Sequence, residues 1–269
     1  MNDRIRQTLV LVFALTCIAS SFWLGNSLDQ GSDPTPVYFL PFGLTFAIWG
    51  LIFSSSLVYA VYQVLPKQAA RPLHRRIGGW VALNGALTTL WNFTAGSAGQ
   101  PNAPDYQPLF VVATVFILIG MLYALTRAII TLHTLHHDLT PLDLWLALFP
   151  VTLFFAWLNV AMIANTTAAL DAVGFTGGAD GATWAAGMLI VAGLVAIGVI
   201  LYTRQGLSTL TYAGVILWAL IGIYFNNSER SPLVAALCIF AAAAVVFVTV
   251  WHMRRGQPGS RRSPSGALS

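Results

Sequence analysis

The sequence predicts an all-α fold, a polytopic membrane helix bundle of eight transmembrane helices. Of its 269 residues, 57% are hydrophobic and 8% are charged, where a soluble domain carries about 25% charged residues. The mean hydropathy is +0.73. Apolar runs of the roughly 20 residues needed to cross a bilayer alternate with turn-rich segments. A surface so poor in charge does not disperse in water, and so apolar a chain lacks the composition of a disordered one. Two cysteines exclude a disulfide framework and a Cys-rich metal cluster. The runs are apolar on every face, which excludes the alternating strands of a barrel.

The spans are justified in order along the chain. The first, 7–24, follows Arg4 and Arg6 and ends beside Trp23. Its small residues Ala19, Ser20 and Ser21 leave a cleaved secretory signal as the alternative reading. The second, 42–65, is led in by Pro41 and stopped by Pro66. The third, 77–93, and the seventh, 207–225, are the shortest and must run nearly upright or borrow flanking residues. The fourth spans 109–131, the fifth 144–164, the sixth 183–203 and the eighth 232–253. Pro141 and Pro232 sit at helix starts, where a missing amide donor costs least. Segments 25–35, 66–72, 96–108, 174–181 and 226–232 are turn-rich connections. The tail from 256 is rich in Ser, Pro, Gly and Arg and reads as a disordered cytoplasmic segment.

Loop charge tests this count. With a cytoplasmic N-terminus, twelve of the thirteen basic residues fall in cytoplasmic segments, leaving Arg230 outside. The outer loops hold Asp29, Asp33, Asp105, Asp171, Asp180 and Glu229. Basic residues are held on the cytoplasmic side, and an even number of spans puts both termini there. The net charge of +4 therefore reads as membrane orientation, with no nucleic-acid partner.

Six of the nine tryptophans suit interfacial belts: Trp23, Trp91 and Trp184 at outer span ends, Trp80, Trp145 and Trp251 at inner ones. Trp49, Trp157 and Trp218 do not. At 1.5 Å rise per residue each lies roughly 10 Å below the outer surface, on the second, fifth and seventh spans. An indole N–H in hydrocarbon needs a partner, and Asn84 and Asn159 lie at similar depth, with Asn165 nearer the outer end. Two readings follow: a packed core bridged by asparagines, or an aromatic pocket for a flat apolar ligand with a few polar edges.

At these residues the sequence resembles the TspO/MBR family, the tryptophan-rich sensory or translocator proteins. Trp157, Ala161 and Asn165 in FFAWLNVAMIAN are similar to that family's last-helix pattern. Pro41 and Trp49 in PFGLTFAIWGLIF resemble its Pro-rich lead into a helix, and Leu83, Asn84 and Trp91 its Leu-Asn…Trp helix. The pattern departs at Gly43, at Phe53 and at Pro150, which stands earlier than the family's proline. The resemblance implies a five-helix portion over 1–170, three further helices over 171–255 in an extended form, and the tail 256–269. It also implies residence in a bacterial inner membrane and binding of porphyrins or sterol-like molecules, for sensing or transfer. Trp49, Asn84, Trp157 and Asn165 become candidate ligand-binding residues by resemblance; Trp218 and Asn159 join them on depth alone.

Other signals carry less. His133, His136 and His137, followed by Asp138, have a spacing that can share a helix face and hold a metal or haem; a wet headgroup-level loop is the plainer reading. No carboxylate lies deep in a span, as a coupled transporter usually requires. Ser54–Ser56 have no histidine at their level, so nucleophilic catalysis lacks its base. Cys17 and Cys238 read as small core residues. The expectation is a non-catalytic membrane protein that binds a hydrophobic small molecule, a tetrapyrrole or an isoprenoid or sterol-like lipid. Passive or exchange-type transport is the alternative function. No cofactor is named beyond a porphyrin or other tetrapyrrole as candidate ligand. The expected partners are the lipid bilayer and that ligand, with a second copy of the chain as a candidate.

Overall fold

A computed structural model describes residues 2–24, 37–99, 103–175, 181–204 and 206–255. Asp29, Asp33, Asp180, Arg261, Arg262 and the expected tail from 256 lie outside the described residues. Eight long helices correspond to the eight apolar runs. They are α1 (Asp3–Leu24), α2 (Gly43–Val64), α3 (Pro72–Gly96), α4 (Pro108–Thr134), α5 (Pro141–Ala172), α6 (Gly181–Tyr202), α7 (Gly206–Asn227) and α8 (Pro232–Arg255). Seven of them are long and apolar enough to cross a membrane. The other is α3, which has the length at 25 residues but carries His74, Arg75, Arg76, Asn84 and Asn92. Large apolar side chains such as Leu109, Phe116, Phe240 and Phe247 stand exposed around the outside. In water that surface would aggregate; in a bilayer it faces acyl chains. The protein is an integral membrane protein.

Helix α5 is the axis of the bundle. Its run from Pro150 to Leu158 is buried on all sides, as expected of a helix apolar around its whole circumference. Helix α4 packs on one flank, α2 on another and α7 on a third. Helix α3 lies between α1 and α4, and α8 joins α6 to α7. The last three helices therefore attach to the first five chiefly through α7. Pro150 lacks an N–H and would clash with the preceding turn. A π-helical turn over Leu144–Leu148 widens the helix just before it, a known way of absorbing such a break. The far end of α5 closes at Gly174, whose φ of +86° lets the Phe175 N–H reach the Leu170 carbonyl at 2.9 Å, satisfying a helix-end acceptor.

Two polar seams set the registers. At one end, a strap over residues 37–45 is tied to α7. Asn227 Nδ2 donates to the Tyr38 carbonyl at 2.7 Å, Asn226 Nδ2 to Leu40 at 2.8 Å, and the Phe42 N–H to Gly222 at 2.9 Å. At the other end, here called the base, lie both ends of the described chain and the α2–α3, α4–α5 and α6–α7 connections. There Asp143, fully buried, caps the first turn of α5 with Thr140 in a capping box. The same carboxylate accepts from Arg71 Nη1 and Nη2 at 2.7 and 2.6 Å and from Tyr62 Oη at 2.8 Å. This hydrogen-bonded pairing raises the pKa of Arg71 above the ordinary guanidinium value. One carboxylate thus fastens α2, the α2–α3 turn and α5 together.

Candidate functional site

Helical spacing brings three mixed stripes to one place. On α1, Phe13 and Cys17 share a face with Val10; on α2, Ser56 and Tyr59 follow Phe53 around one turn; on α3, Val81, Asn84 and Gly85 do the same. These, with Leu125 of α4 and Pro150, Val151 and Phe154 of α5, enclose a cavity with about 30 Å³ of room for the centres of water molecules. About 10–15 Å³ on this measure holds one water. Tyr59 and Asn84 are among the lining residues, and their Oη and Oδ1 are fully buried without a hydrogen-bond partner among the described residues. A buried polar atom left unpaired costs about 1–3 kcal/mol. Close packing helps shape it: a Cβ at Gly85 would stand 3.0 Å from Phe13 Cβ.

The expected tryptophans sit just beyond this cavity, away from the base. Trp49 stacks on Phe53 with centroids 5.2 Å apart and meets Phe154 edge-on at 5.8 Å. Trp157 meets Trp49 edge-on at 6.1 Å and Phe46 at 5.9 Å. It is 2% exposed, and its Nε1–H has no partner among the described residues. Two of the three indoles therefore meet, and Phe53 and Phe154 carry their wall into the cavity. Trp218 is 39% exposed. Its indole donates to the Thr45 carbonyl at 2.8 Å, which clamps the start of α2 onto α7.

The three asparagines separate in the same way. Asn84 lines the cavity. Asn159 Nδ2 donates to the Phe155 carbonyl of its own helix at 2.7 Å. Asn165 is a three-helix staple: its Oδ1 accepts from Trp91 Nε1 at 3.1 Å and its Nδ2 donates to Thr114 Oγ1 at 2.8 Å. Sequence reasoning passed over Tyr59 and Phe154 and weighed Ser56 for catalysis alone, although a tyrosine hydroxyl predicted inside a span was the available signal.

The histidines do not converge. His133 is buried and receives the Arg204 N–H at Nδ1 at 3.4 Å, which leaves Nε2 to donate to Ser208 Oγ, also at 3.4 Å. The rings of His136 and His137 lie with centroids 3.7 Å apart, tilted by 43°. Among the described residues no group of three or more His, Cys, Asp or Glu side chains could hold a metal ion. Ser55 Oγ donates to the Ile52 carbonyl at 3.0 Å.

No curated protein and no solved structure matches the chain. A family model does. Described as TSPO-like protein, it matches residues 5–251, so the matched segment runs from α1 through α8 and includes the last three helices. The chain belongs to the TSPO-like protein family.

Proposed function

We propose that this protein binds a hydrophobic small molecule within the bundle, without catalysis, and serves sensing or transfer. One observation carries the reading: Tyr59 and Asn84, whose Oη and Oδ1 are buried and unpaired among the described residues, help line an otherwise aromatic and aliphatic cavity between α1, α2, α3, α4 and α5. Such a wall of apolar surface with a few placed polar atoms is the ordinary make-up of a ligand site. Family membership supports the same reading, and with it a tetrapyrrole or an isoprenoid or sterol-like lipid as ligand class. The cavity has room for only about two or three water molecules, so the ligand enters as α1 and α2 part. The Gln7 and Gln63 side chains, each donating to the other's backbone carbonyl at 2.7 and 3.0 Å, are the polar latch between these helices. All eight helices, α3 included, cross a bacterial inner membrane in this reading, with the base cytoplasmic; Asn84, Thr88 and Asn92 of α3 are all buried against protein, which spares their polar atoms the lipid.

Titrating protoporphyrin IX into the purified protein, with farnesol as competitor, tests the proposal through tryptophan emission. We expect saturable quenching at micromolar concentration, about −8 kcal/mol. Asn84→Leu, which fills the cavity and removes its acceptor, is expected to weaken binding at least fivefold. Unchanged affinity in that variant would remove the site.

A further inference from the structure

Below the cavity, toward the base, lies a buried cation that the packing of the bundle does not satisfy. Arg6 is 2% exposed. Its Nη2 donates to the Ala69 carbonyl at 2.8 Å, while Nε and Nη1 have no hydrogen-bond partner among the described residues. The nearest carboxylate, Asp3, stands 3.5 Å from Nη1. Asp3 is already held by Arg75, through contacts of 3.0, 3.1 and 2.5 Å. Asp143 is likewise taken by Arg71. Three arginines thus share two carboxylates, and the most buried of the three holds the surplus charge. A buried charge held only by a shared, loosely placed partner is unfavourable.

Arg6 is also on the cavity's own stripe. Residues 6, 10, 13 and 17 follow one face of α1, and Val10, Phe13 and Cys17 line the cavity. From Arg6 to Cys17 the rise is about 16 Å. Space for the side chain is made by Gly78 of α3, where an added Cβ would lie 2.7 Å from Arg6 Cδ. Gln63, one turn beyond Tyr59 on α2, donates to α1 and keeps a buried, unpartnered Oε1. The layout puts a buried guanidinium on the same face of α1 as the lining residues, about one turn below Val10.

We propose that Arg6 is the head-group subsite of the cavity and that the ligand is a slim amphipathic carboxylate, its acyl or isoprenoid chain running from Arg6 toward Cys17. This deepens the binding function proposed above and rests on it. A carboxylate at Arg6 supplies a closer counter-charge through charge-assisted hydrogen bonds, and a single chain can follow the row of residues from Arg6 to Cys17.

The test uses cis-parinaric acid and its methyl ester, read by energy transfer from tryptophan in micelles of one fixed detergent concentration. Wild type is expected to bind the acid at least tenfold more tightly than the ester. Arg6→Gln is expected to abolish that preference while leaving ester affinity within twofold, and Arg6→Lys to retain most of it. The lysine variant separates charge from any effect on folding, which melting curves of all three proteins also report. Equal binding of acid and ester by wild type, or a preference surviving in Arg6→Gln, overturns the head-group subsite and leaves the binding function standing. Binding of neither probe overturns both.

Discussion

Arg71→Met is expected to destabilise the bundle by about 3–5 kcal/mol, the usual consequence of stripping one partner from a buried ion pair. Asp143 is fully buried, and its Arg71 partner is 27% exposed, so the change strands a carboxylate where water cannot reach it. Tyr62 and Thr140 would still donate to it, but neither carries charge. Arg75→Met is the control. Arg75 pairs with Asp3 at a site 55% and 26% exposed, where solvent screens the charges and loss of the pair costs little. The double variant Arg71→Met/Asp143→Leu should recover much of the loss, because a well-packed apolar pair often replaces a buried ionic one at little cost. Detergent-solubilised thermal unfolding measures all three. A loss for Arg71→Met no greater than for Arg75→Met would show that the pair does not fasten α2 to α5.

The second large effect belongs to the opposite end. A Cβ at Gly222 would fall 2.0 Å from Thr45 Oγ1, 2.8 Å from its Cγ2 and 2.9 Å from its Cβ. No rotamer of Thr45 relieves the contact with Cβ. Gly222→Ala must therefore push the start of α2 off α7, straining the Phe42–Gly222 and Trp218–Thr45 hydrogen bonds together. The expected cost is about 1–3 kcal/mol, typical of overpacking, with loss of monodispersity as the strap 37–45 loosens. Thr45→Gly in the same chain removes all three clashing atoms and should restore chromatographic behaviour. Failure of that rescue would mean that the approach of α2 to α7 is not what Gly222 protects.

The helices were legible because hydrocarbon thickness dictates run length, and because Pro141 and Pro232 occupy first-turn positions; sequence reasoning left the same signal at Pro72 and Pro108 unused. The boundaries that moved have physical causes. Helix α3 starts at Pro72 rather than 77 because His74 and the flanking arginines lie at the base, where polar contacts hold them. Helix α5 runs on to Ala172, beyond the expected 164, since a helix need not stop where the apolar run does. Depth along each span put Trp49 and Trp157 at one level, and there the two rings meet. Depth carries no azimuth, however. It could not reveal that Asn165 faces Trp91 and Thr114, that Asn159 turns back on its own helix, or that Trp218 reaches a carbonyl on α2. The base was the least legible region. Arg71 and Asp143 are 72 residues apart, and charged residues near span ends read as snorkelling side chains until packing shows them enclosed.

Cys17 offers the most direct measurement, since its thiol lines the cavity while Cys238 is buried elsewhere, in α8. N-ethylmaleimide labelling of each cysteine, followed by mass spectrometry with and without saturating ligand from the titrations above, reports whether the space between α1, α2 and α3 is the one filled. A ligand lying there should slow labelling of Cys17 at least tenfold and leave Cys238 unchanged. Equal labelling rates at Cys17 in the free and saturated protein would place the ligand elsewhere and contradict the account.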